Sequence, residues 1–190
     1  MAAPEPGLVV YLSNEDPLTC PAPDDAPDAS TVEACVHYRA ADTRAPTYVT
    51  IYSVSDIKAI PSGDSTGDRK RVFRQLHDAA EGEPVPPNIK GGVILSMGAT
   101  HPSRETIEEW HVSVFPQIRV IPGWVRSRGY ELVQGVDTVP EVLALHEYEN
   151  EQSFATDEFE RYVADYRRID IIRACTQNER RILLLHKTVV

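Results

Sequence analysis

The sequence predicts an α+β protein made of two related halves, of which the second follows the full order strand, helix, strand, strand, helix, strand. Short apolar segments recur in the same order in both halves, and the second half shows the whole pattern. This order is the ferredoxin-like unit. Helices cover only one face of its four-stranded sheet, so we expect the two copies to cover each other within the chain.

Three pairs of segments carry the repeat. They are 7–13 (GLVVYLS) with 92–98 (GVILSMG), 36–39 (VHYR) with 128–131 (RGYE), and 48–56 (YVTIYSVSD) with 142–150 (VLALHEYEN). Similarity that keeps its order is typical of an old duplication. The stretch 82–92, rich in Pro and Gly, is the natural junction. We therefore predict an N-terminal half over residues 1–88 and a C-terminal half over residues 89–190, which form one compact unit.

The second half begins with an apolar strand over residues 93–97 and a helix that starts at Ser103, a typical N-cap residue. Acidic residues in its first turns interact favourably with the positive N-terminal end of the helix dipole. Apolar side chains then recur at spacings of three and four, which predicts a buried face. That face holds Ile107, Trp110, Val114 and Ile118.

Two strands over residues 124–132 and 141–148 follow, and then a helix over 154–166 and a closing strand over 181–189. Side chains alternate between the two faces of a strand. The alternation predicts one face with Trp124, Arg126, Arg128 and Tyr130, and another with Ala144, His146 and Tyr148.

The composition limits the partners and the compartment. A formal charge of −10 argues against nucleic acid and anionic membrane surfaces, because phosphate binding needs clustered basic charge. The first residues lack a signal-peptide pattern, and every apolar run is far shorter than the roughly 18 residues of a membrane span. Three cysteines without CxxC spacing (Cys20, Cys35 and Cys175) favour a reduced compartment. We expect a cytoplasmic protein.

We expect no cofactor and no metal. No His-x-His, HExxH or paired-carboxylate pattern is present, and His37, His77, His101 and His186 are expected to stand alone. The sequence also has no Gly-x-Gly-x-x-Gly, P-loop or Gly-x-Ser-x-Gly motif, which disfavours nucleotide cofactors and serine hydrolase chemistry.

The run 108–130 (EEWHVSVFPQIRVIPGWVRSRGY) resembles the fungal EthD-type group of dimeric α/β-barrel proteins. Their helix reads like EEF-xx-WY-xxx-HIP, followed by a PGW or PGY turn and an R-x-x-RY strand. Residues 143–148 (LALHEY) are similar to the family's YLALHEF strand, and residues 48–56 to its YLALYPLPD strand. The resemblance covers most of the chain. It implies a single-chain dimeric α/β-barrel, often cofactor-free and acting on small apolar metabolites, and it allows a homodimer of such pseudo-dimers.

The sequence departs from the family in two places. The family's helix histidine falls on Val114 or Phe115, so its acid/base role does not carry over. The first repeat is expected to lack much of its first helix, because Gly7 to Tyr38 spans 31 positions where Gly92 to Tyr130 spans 38, and the difference lies in a stretch rich in Pro and Asp. We therefore expect the chemistry in the second half.

His111 and His146 are the candidate catalytic residues. His111 borders the buried helix face, where an imidazole with a pKa near 7 would suit acid/base catalysis; a histidine hydrogen-bonded to backbone or water is the alternative. His146 is expected beside Tyr130 and the two arginines, although a structural role fits equally well. The expected substrate-binding residues are Trp110, Val114, Trp124, Arg126, Arg128, Tyr130, Ala144 and Tyr148.

Two further groups leave alternatives open. Arg126 and Arg128 could anchor a carboxylate or enolate oxygen, and exposed arginines paired with acids are the plainer interpretation. Tyr11, Tyr38 and Tyr52 are expected in the core or the barrel interior.

These residues favour a cofactor-independent biosynthetic enzyme of the cyclase, isomerase or lyase type that acts on a small hydrophobic secondary metabolite. Such steps need shape, exclusion of water and one or two polar groups. A pericyclic ring closure is compatible with the missing family histidine. The alternatives are a non-catalytic barrel that binds a small molecule and a cofactor-free monooxygenase.

Overall fold

The computed structural model describes residues 3–61, 69–80 and 91–189. The first half contributes the strands β1 (Gly7–Ser13), β2 (Val32–Ala40), β3 (Tyr48–Val54) and β4 (Lys70–Ala80). The second half contributes β5 (Val93–Thr100), α1 (Arg104–Arg119), β6 (Trp124–Gln134), β7 (Val142–Tyr148), α2 (Asp157–Ala164), α3 (Tyr166–Ala174) and β8 (Gln177–Thr188). Short 3-10 helices lie at Ile57–Ala59 and Glu151–Ala155.

Eight strands close one antiparallel barrel in the order β1-β3-β2-β8-β5-β7-β6-β4. The first half supplies β4-β1-β3-β2 and the second half supplies β8-β5-β7-β6, which is the same relative order. Two seams join the halves: β2 pairs with β8, where Tyr38 faces Leu185, and β4 pairs with β6, where Arg74 faces Glu131. The predicted α+β class, with tandem ferredoxin-like repeats that form a single-chain barrel, is confirmed.

The first repeat lacks its first helix, as predicted. Residues 14–31, between β1 and β2, form turns and bends. The four prolines of this connection, Pro17, Pro21, Pro23 and Pro27, remove backbone donors and disfavour a helix. We call residues 16–30 the proline-rich segment. It packs over the outer face of the first-half sheet, where Ala26 contacts the apolar side chains that cluster there.

Helix α1 begins where the sequence predicts. The Ser103 hydroxyl accepts a hydrogen bond from the Thr106 backbone N–H at 3.2 Å, which satisfies one of the first-turn donors. The predicted buried face is confirmed, with His111 added to it: the buried residues are Ile107, Trp110, His111, Val114 and Ile118.

The second predicted helix, over residues 154–166, is wrong in its extent. The chain forms a 3-10 turn, then α2, and then a separate helix α3. Asp165 breaks the two helices apart because its backbone leaves the helical region, and its carboxylate caps α3 by accepting from the Arg167 N–H at 2.8 Å. The closing strand β8 begins at Gln177, four residues before the predicted start.

Buried side chains form layers on both sides of the sheet. One fills the barrel interior, where Leu8, Tyr38 and Tyr130 belong to one apolar cluster. A second, which we call the helix layer, lies between the second-half sheet and the three α-helices, and contains Trp110, Trp124, Ala144 and Tyr148.

The predicted face of β6 is wrong for Trp124. The pairing of β6 with β7 shifts between Trp124 and Arg126, and this bulge turns the Trp124 side chain to the helix layer. Tyr130 lies in the barrel interior instead. A bulge inserts one extra residue and so reverses the alternation of faces before it.

Among the residues described, no helix combines the length and the apolar character that crossing a membrane would require.

Candidate functional site

The predicted site residues fall on opposite faces of the second-half sheet. The helix layer receives Trp110, His111, Val114, Trp124, Ala144, His146 and Tyr148. The barrel interior side receives Arg126, Arg128 and Tyr130. The prediction that His146 lies in one cavity with Tyr130 and the arginines is therefore wrong. Neighbouring positions of β7 point to opposite faces, and Glu147, not His146, meets Arg128.

A short hydrogen-bond chain fixes His146. The Trp124 indole N–H donates to the Ser127 hydroxyl oxygen at 2.9 Å, and the same oxygen lies 2.9 Å from Nδ1 of His146. All three side chains are buried. The Ser127 hydroxyl accepts from the indole N–H and also hydrogen-bonds Nδ1, in the direction that the His146 tautomer sets. The imidazole is thereby held in one orientation within the helix layer.

His111 lies close enough to His146 to act on it electrostatically, and His77 acts on His111 in the same way. The His111 ring is 5.3 Å from the Trp110 ring, centroid to centroid. His77 on β4 comes into the cluster because it pairs with Gly129 of β6. The sequence did not predict this position of His77, because it depends on the pairing of β4 with β6 across the seam between the halves. We call His77, His111 and His146 the histidine cluster.

Burial controls the protonation of two members of this cluster. Burial, and to a smaller extent the charge of His77, lowers the pKa of His111 to about 4. Burial also lowers the pKa of His146 to about 3, with smaller contributions from His111 and Arg168. Both imidazoles are therefore neutral at pH 7. The expected pKa near 7 is not found for His111, because the site is too apolar to carry the charged form.

Two donors in the helix layer have no partner among the described residues. The Trp110 indole N–H and the Tyr148 hydroxyl are buried and make no hydrogen bond there. Burial also raises the pKa of the Tyr148 hydroxyl, so it keeps its proton. Leaving a buried donor unsatisfied costs about 1–3 kcal/mol. Both donors therefore favour binding of an acceptor atom in this layer.

On the interior side, the two arginines are buried and already paired. Arg128 donates from Nη2 to Glu147 at 2.7 Å, and Arg126 donates from Nε to Asp78 at 2.8 Å. The interpretation that they are paired with acids is confirmed, but they are not exposed. A substrate carboxylate would have to displace these partners.

The three first-half tyrosines are all buried, but they divide between two faces. Tyr38 lies in the barrel interior, whereas Tyr11 and Tyr52 pack edge to face under the proline-rich segment, with ring centroids 5.8 Å apart. The Tyr38 and Tyr130 hydroxyls have no hydrogen-bond partner in the described part of the chain.

Two cavities differ sharply in size. The barrel interior leaves about 30 Å³ free near Arg71 and Arg181, room for one or two water molecules. A groove of about 330 Å³ lies beneath the proline-rich segment. No group of three or more His, Cys, Asp or Glu side chains within residues 3–61, 69–80 and 91–189 is arranged to hold a metal ion.

No protein-family model matches the sequence, and no curated protein matches it. Solved structures do match. An anthrone oxidase-like protein aligns with a TM-score of 0.58 at 10% identity, over 97% of this chain and 92% of its own. A monooxygenase-like protein from Listeria innocua gives 0.55 at 8% identity, over 97% and 95%. A ferredoxin-fold protein from Listeria monocytogenes related to antibiotic biosynthesis monooxygenases gives 0.52 at 8% identity, over 97% and 96%.

At these identities the comparisons establish the fold and not the activity. The chain has the ferredoxin-like barrel fold that these structures share. Because no family model matches, the EthD-type resemblance stays a prediction.

Proposed function

We propose that this chain is a cytoplasmic, cofactor-independent enzyme that binds a small hydrophobic molecule in the helix layer of its second half. The observation that carries the proposal is the pair of unsatisfied buried donors, Trp110 Nε1 and Tyr148 Oη, in the same layer as two neutral histidines. A bound carbonyl or phenol oxygen would satisfy the donors and remove their cost. Val114, Ala144 and Trp124 would form the apolar walls.

The protonation states narrow the chemistry. An imidazole with a pKa near 3 or 4 is a weak base, so neither histidine is tuned for strong proton abstraction at neutral pH. Neutral imidazoles and fixed donors can still hold a substrate and polarise one oxygen. This favours cyclisation, isomerisation or elimination driven by orientation, a pericyclic ring closure included. Arg126, Arg128 and Tyr130 lie on the other face and take no part in this site.

Three finer expectations belong to the same proposal. We propose membership of the EthD-type barrels on the motifs of residues 108–130 and 143–148. We propose halves over residues 1–88 and 89–190, a boundary that lies outside the described residues. A homodimer of pseudo-dimers would leave the barrel of each chain intact.

A cofactor-free monooxygenase is the second candidate. Neighbours of this fold are named anthrone oxidase-like and monooxygenase-like. A dry, apolar layer that holds an electron-rich ring would suit either a cyclisation or isomerisation or an oxygenation. Only the oxygenation consumes oxygen, so oxygen consumption distinguishes the two candidates.

The two tryptophans make the test direct. Trp110 and Trp124 are the only tryptophans in the sequence, and both lie in the helix layer. Titration with anthrone should therefore quench tryptophan emission if the ligand enters this layer. Ala144→Phe, which adds a ring inside this buried layer, should abolish the quenching. Val112→Phe, on the exposed side of α1, is the matched control and should leave it unchanged. Equal quenching in both variants would refute the site.

Turnover separates the mechanisms. Oxygen consumption with anthrone would support the monooxygenase, and oxygen-independent conversion the cyclase or isomerase. If proton transfer limits the rate, His111→Ala should lower turnover by about 10²- to 10⁴-fold. A loss of about tenfold or less would indicate catalysis by shape. Binding without any conversion of a panel of aromatic ketones and polyenes would favour the non-catalytic binding protein.

A further inference from the structure

The groove beneath the proline-rich segment lies on the side of the first-half sheet where a ferredoxin-like repeat carries its helix. Its volume of about 330 Å³ falls within the range of small-molecule sites, roughly 300–1,000 Å³. Prolines and alanines of the segment form the roof, and β2 and β3 form the floor. The polar floor residues are Cys35, His37, Thr50 and Tyr52.

The roof is fastened to the sheet. The Asp25 carbonyl oxygen accepts from the Tyr11 hydroxyl at 2.6 Å and from the buried Lys70 ammonium at 3.0 Å. Lys70 also makes an ion pair with the Asp25 carboxylate at 3.1 Å. A roof held in this way keeps the groove open before a ligand arrives, and preorganisation lowers the cost of binding.

The floor is polar but uncharged. Nδ1 of His37 lies 2.8 Å from the Thr50 hydroxyl, which orients the ring. Burial lowers the pKa of His37 and raises the pKa of the Cys35 thiol, so both stay neutral at pH 7. The ionisable groups that act on His37 are His186, Lys187 and Asp16, and the Asp25–Lys70 ion pair holds the roof, but none of these side chains lines the groove. A buried charge without a partner would be costly in such a site.

We propose that this groove is a second binding site, separate from the helix layer, for a small uncharged apolar molecule with one hydrogen-bonding group. The apolar body lies between the proline-rich roof and the sheet, and the polar group meets the His37–Thr50 end. The ligand class follows from the volume, the apolar roof and the neutral floor. The proposal does not depend on the helix-layer site.

Cys35 supplies a built-in reporter, because the other two cysteines, Cys20 and Cys175, do not line the groove. In a Cys20→Ser/Cys175→Ser background, Cys35 is the only thiol. We would use 1-aminoanthracene, a neutral ring system with one amine, as the probe. It should bind with fluorescence enhancement and slow the alkylation of Cys35 by N-ethylmaleimide at least about fivefold. Failure to protect Cys35 at saturating probe would overturn the proposal.

Filled variants assign the binding to one site. Ala26→Phe places a ring under the roof and should weaken probe binding at least about tenfold, whereas Ala144→Phe fills the helix layer and should leave it unchanged. If Ala144→Phe weakens probe binding and Ala26→Phe does not, the probe binds in the helix layer. That result would overturn the groove site and support the helix-layer site. The protection experiment needs no filled variant, so it decides the question even if Ala26→Phe does not fold.

Discussion

Arg128 and Glu147 form an ion pair at 2.7 Å inside the barrel, with side chains that are 2% and 0% exposed. The pair joins neighbouring strands β6 and β7, next to the Tyr130 ring that the Arg128 guanidinium overlies at 5.9 Å. Removing two charges from water costs several kcal/mol per ion, and the pair compensates only while both partners remain. The barrel interior therefore depends on two residues together and tolerates the loss of neither alone.

Glu147→Gln is expected to lower the free energy of unfolding by about 3–5 kcal/mol, because it removes the buried carboxylate that compensates the Arg128 charge at 2.7 Å. The double variant Arg128→Met/Glu147→Leu should recover most of this loss. Urea unfolding measures both. Arg161 and Glu158, also 2.7 Å apart but on the surface, provide the control: Glu158→Gln should cost less than about 1 kcal/mol. Equal losses at the two pairs would contradict the prediction.

Stability should fall with acid through the two buried histidines. Their folded pKa values, about 4 for His111 and about 3 for His146, lie below that of an unfolded histidine, about 6.5. Between these values the unfolded chain binds protons that the folded chain does not. The free energy of unfolding therefore decreases as the pH falls from 6.5 towards 4, by up to about 1.4 kcal/mol per pH unit for each histidine.

His146→Asn tests this contribution, because asparagine keeps a hydrogen bond to Ser127 and does not titrate. Urea unfolding at pH 5.0, 5.5, 6.0 and 6.5 should give a slope reduced by about 1 kcal/mol per pH unit in the variant. An unchanged slope would show that His146 is protonated in the folded protein.

The closed barrel predicts independence from a partner chain. Light scattering after size exclusion should give about 21 kDa, or a dimer whose chains each keep their own barrel. Dilution to nanomolar concentration should leave the far-ultraviolet circular dichroism unchanged. Loss of strand signal on dilution would mean that the barrel forms between two chains.

The N-cap of α1 should contribute measurably to stability. Ser103→Ala removes the acceptor for the Thr106 N–H and should cost about 1 kcal/mol. Ser113 lies on the same helix and donates only to the Trp110 carbonyl oxygen at 2.8 Å, so Ser113→Ala should cost less. Thermal unfolding of the two variants makes the comparison.

Periodicity and the internal repeat predicted the ferredoxin-like units, and the EthD-type resemblance implied that they close one barrel. The strands follow apolar runs, α1 follows spacings of three and four, and the prolines of residues 16–30 account for the missing helix. The alternation rule gave the wrong face where a bulge adds one residue to a strand. The bulge beside Trp124 reversed its orientation, and no local pattern in β6 marks it.

The candidate site was less predictable, because it depends on contacts between distant residues. His77 reaches the cluster only through the pairing of β4 with β6. The low pKa values of His111 and His146 arise from burial by all the surrounding elements, which no short motif encodes. The sequence did not predict the groove in the first half, because its roof is an irregular loop without periodicity. The run of prolines and alanines in residues 16–30 was the signal that could have indicated it.

The seams between the halves have a consequence for synthesis on the ribosome. The first half leaves two strand edges open, on β2 and β4, until β6 and β8 arrive from the other end of the chain. Residue 188, where β8 ends, follows the end of β4 by about 100 residues, which takes roughly 5–20 s at about 5–20 residues per second. During this interval two nascent chains on one messenger can pair edge to edge. Slow or stalled translation between β4 and β8 should therefore favour strand-exchanged dimers and aggregates over the closed monomer.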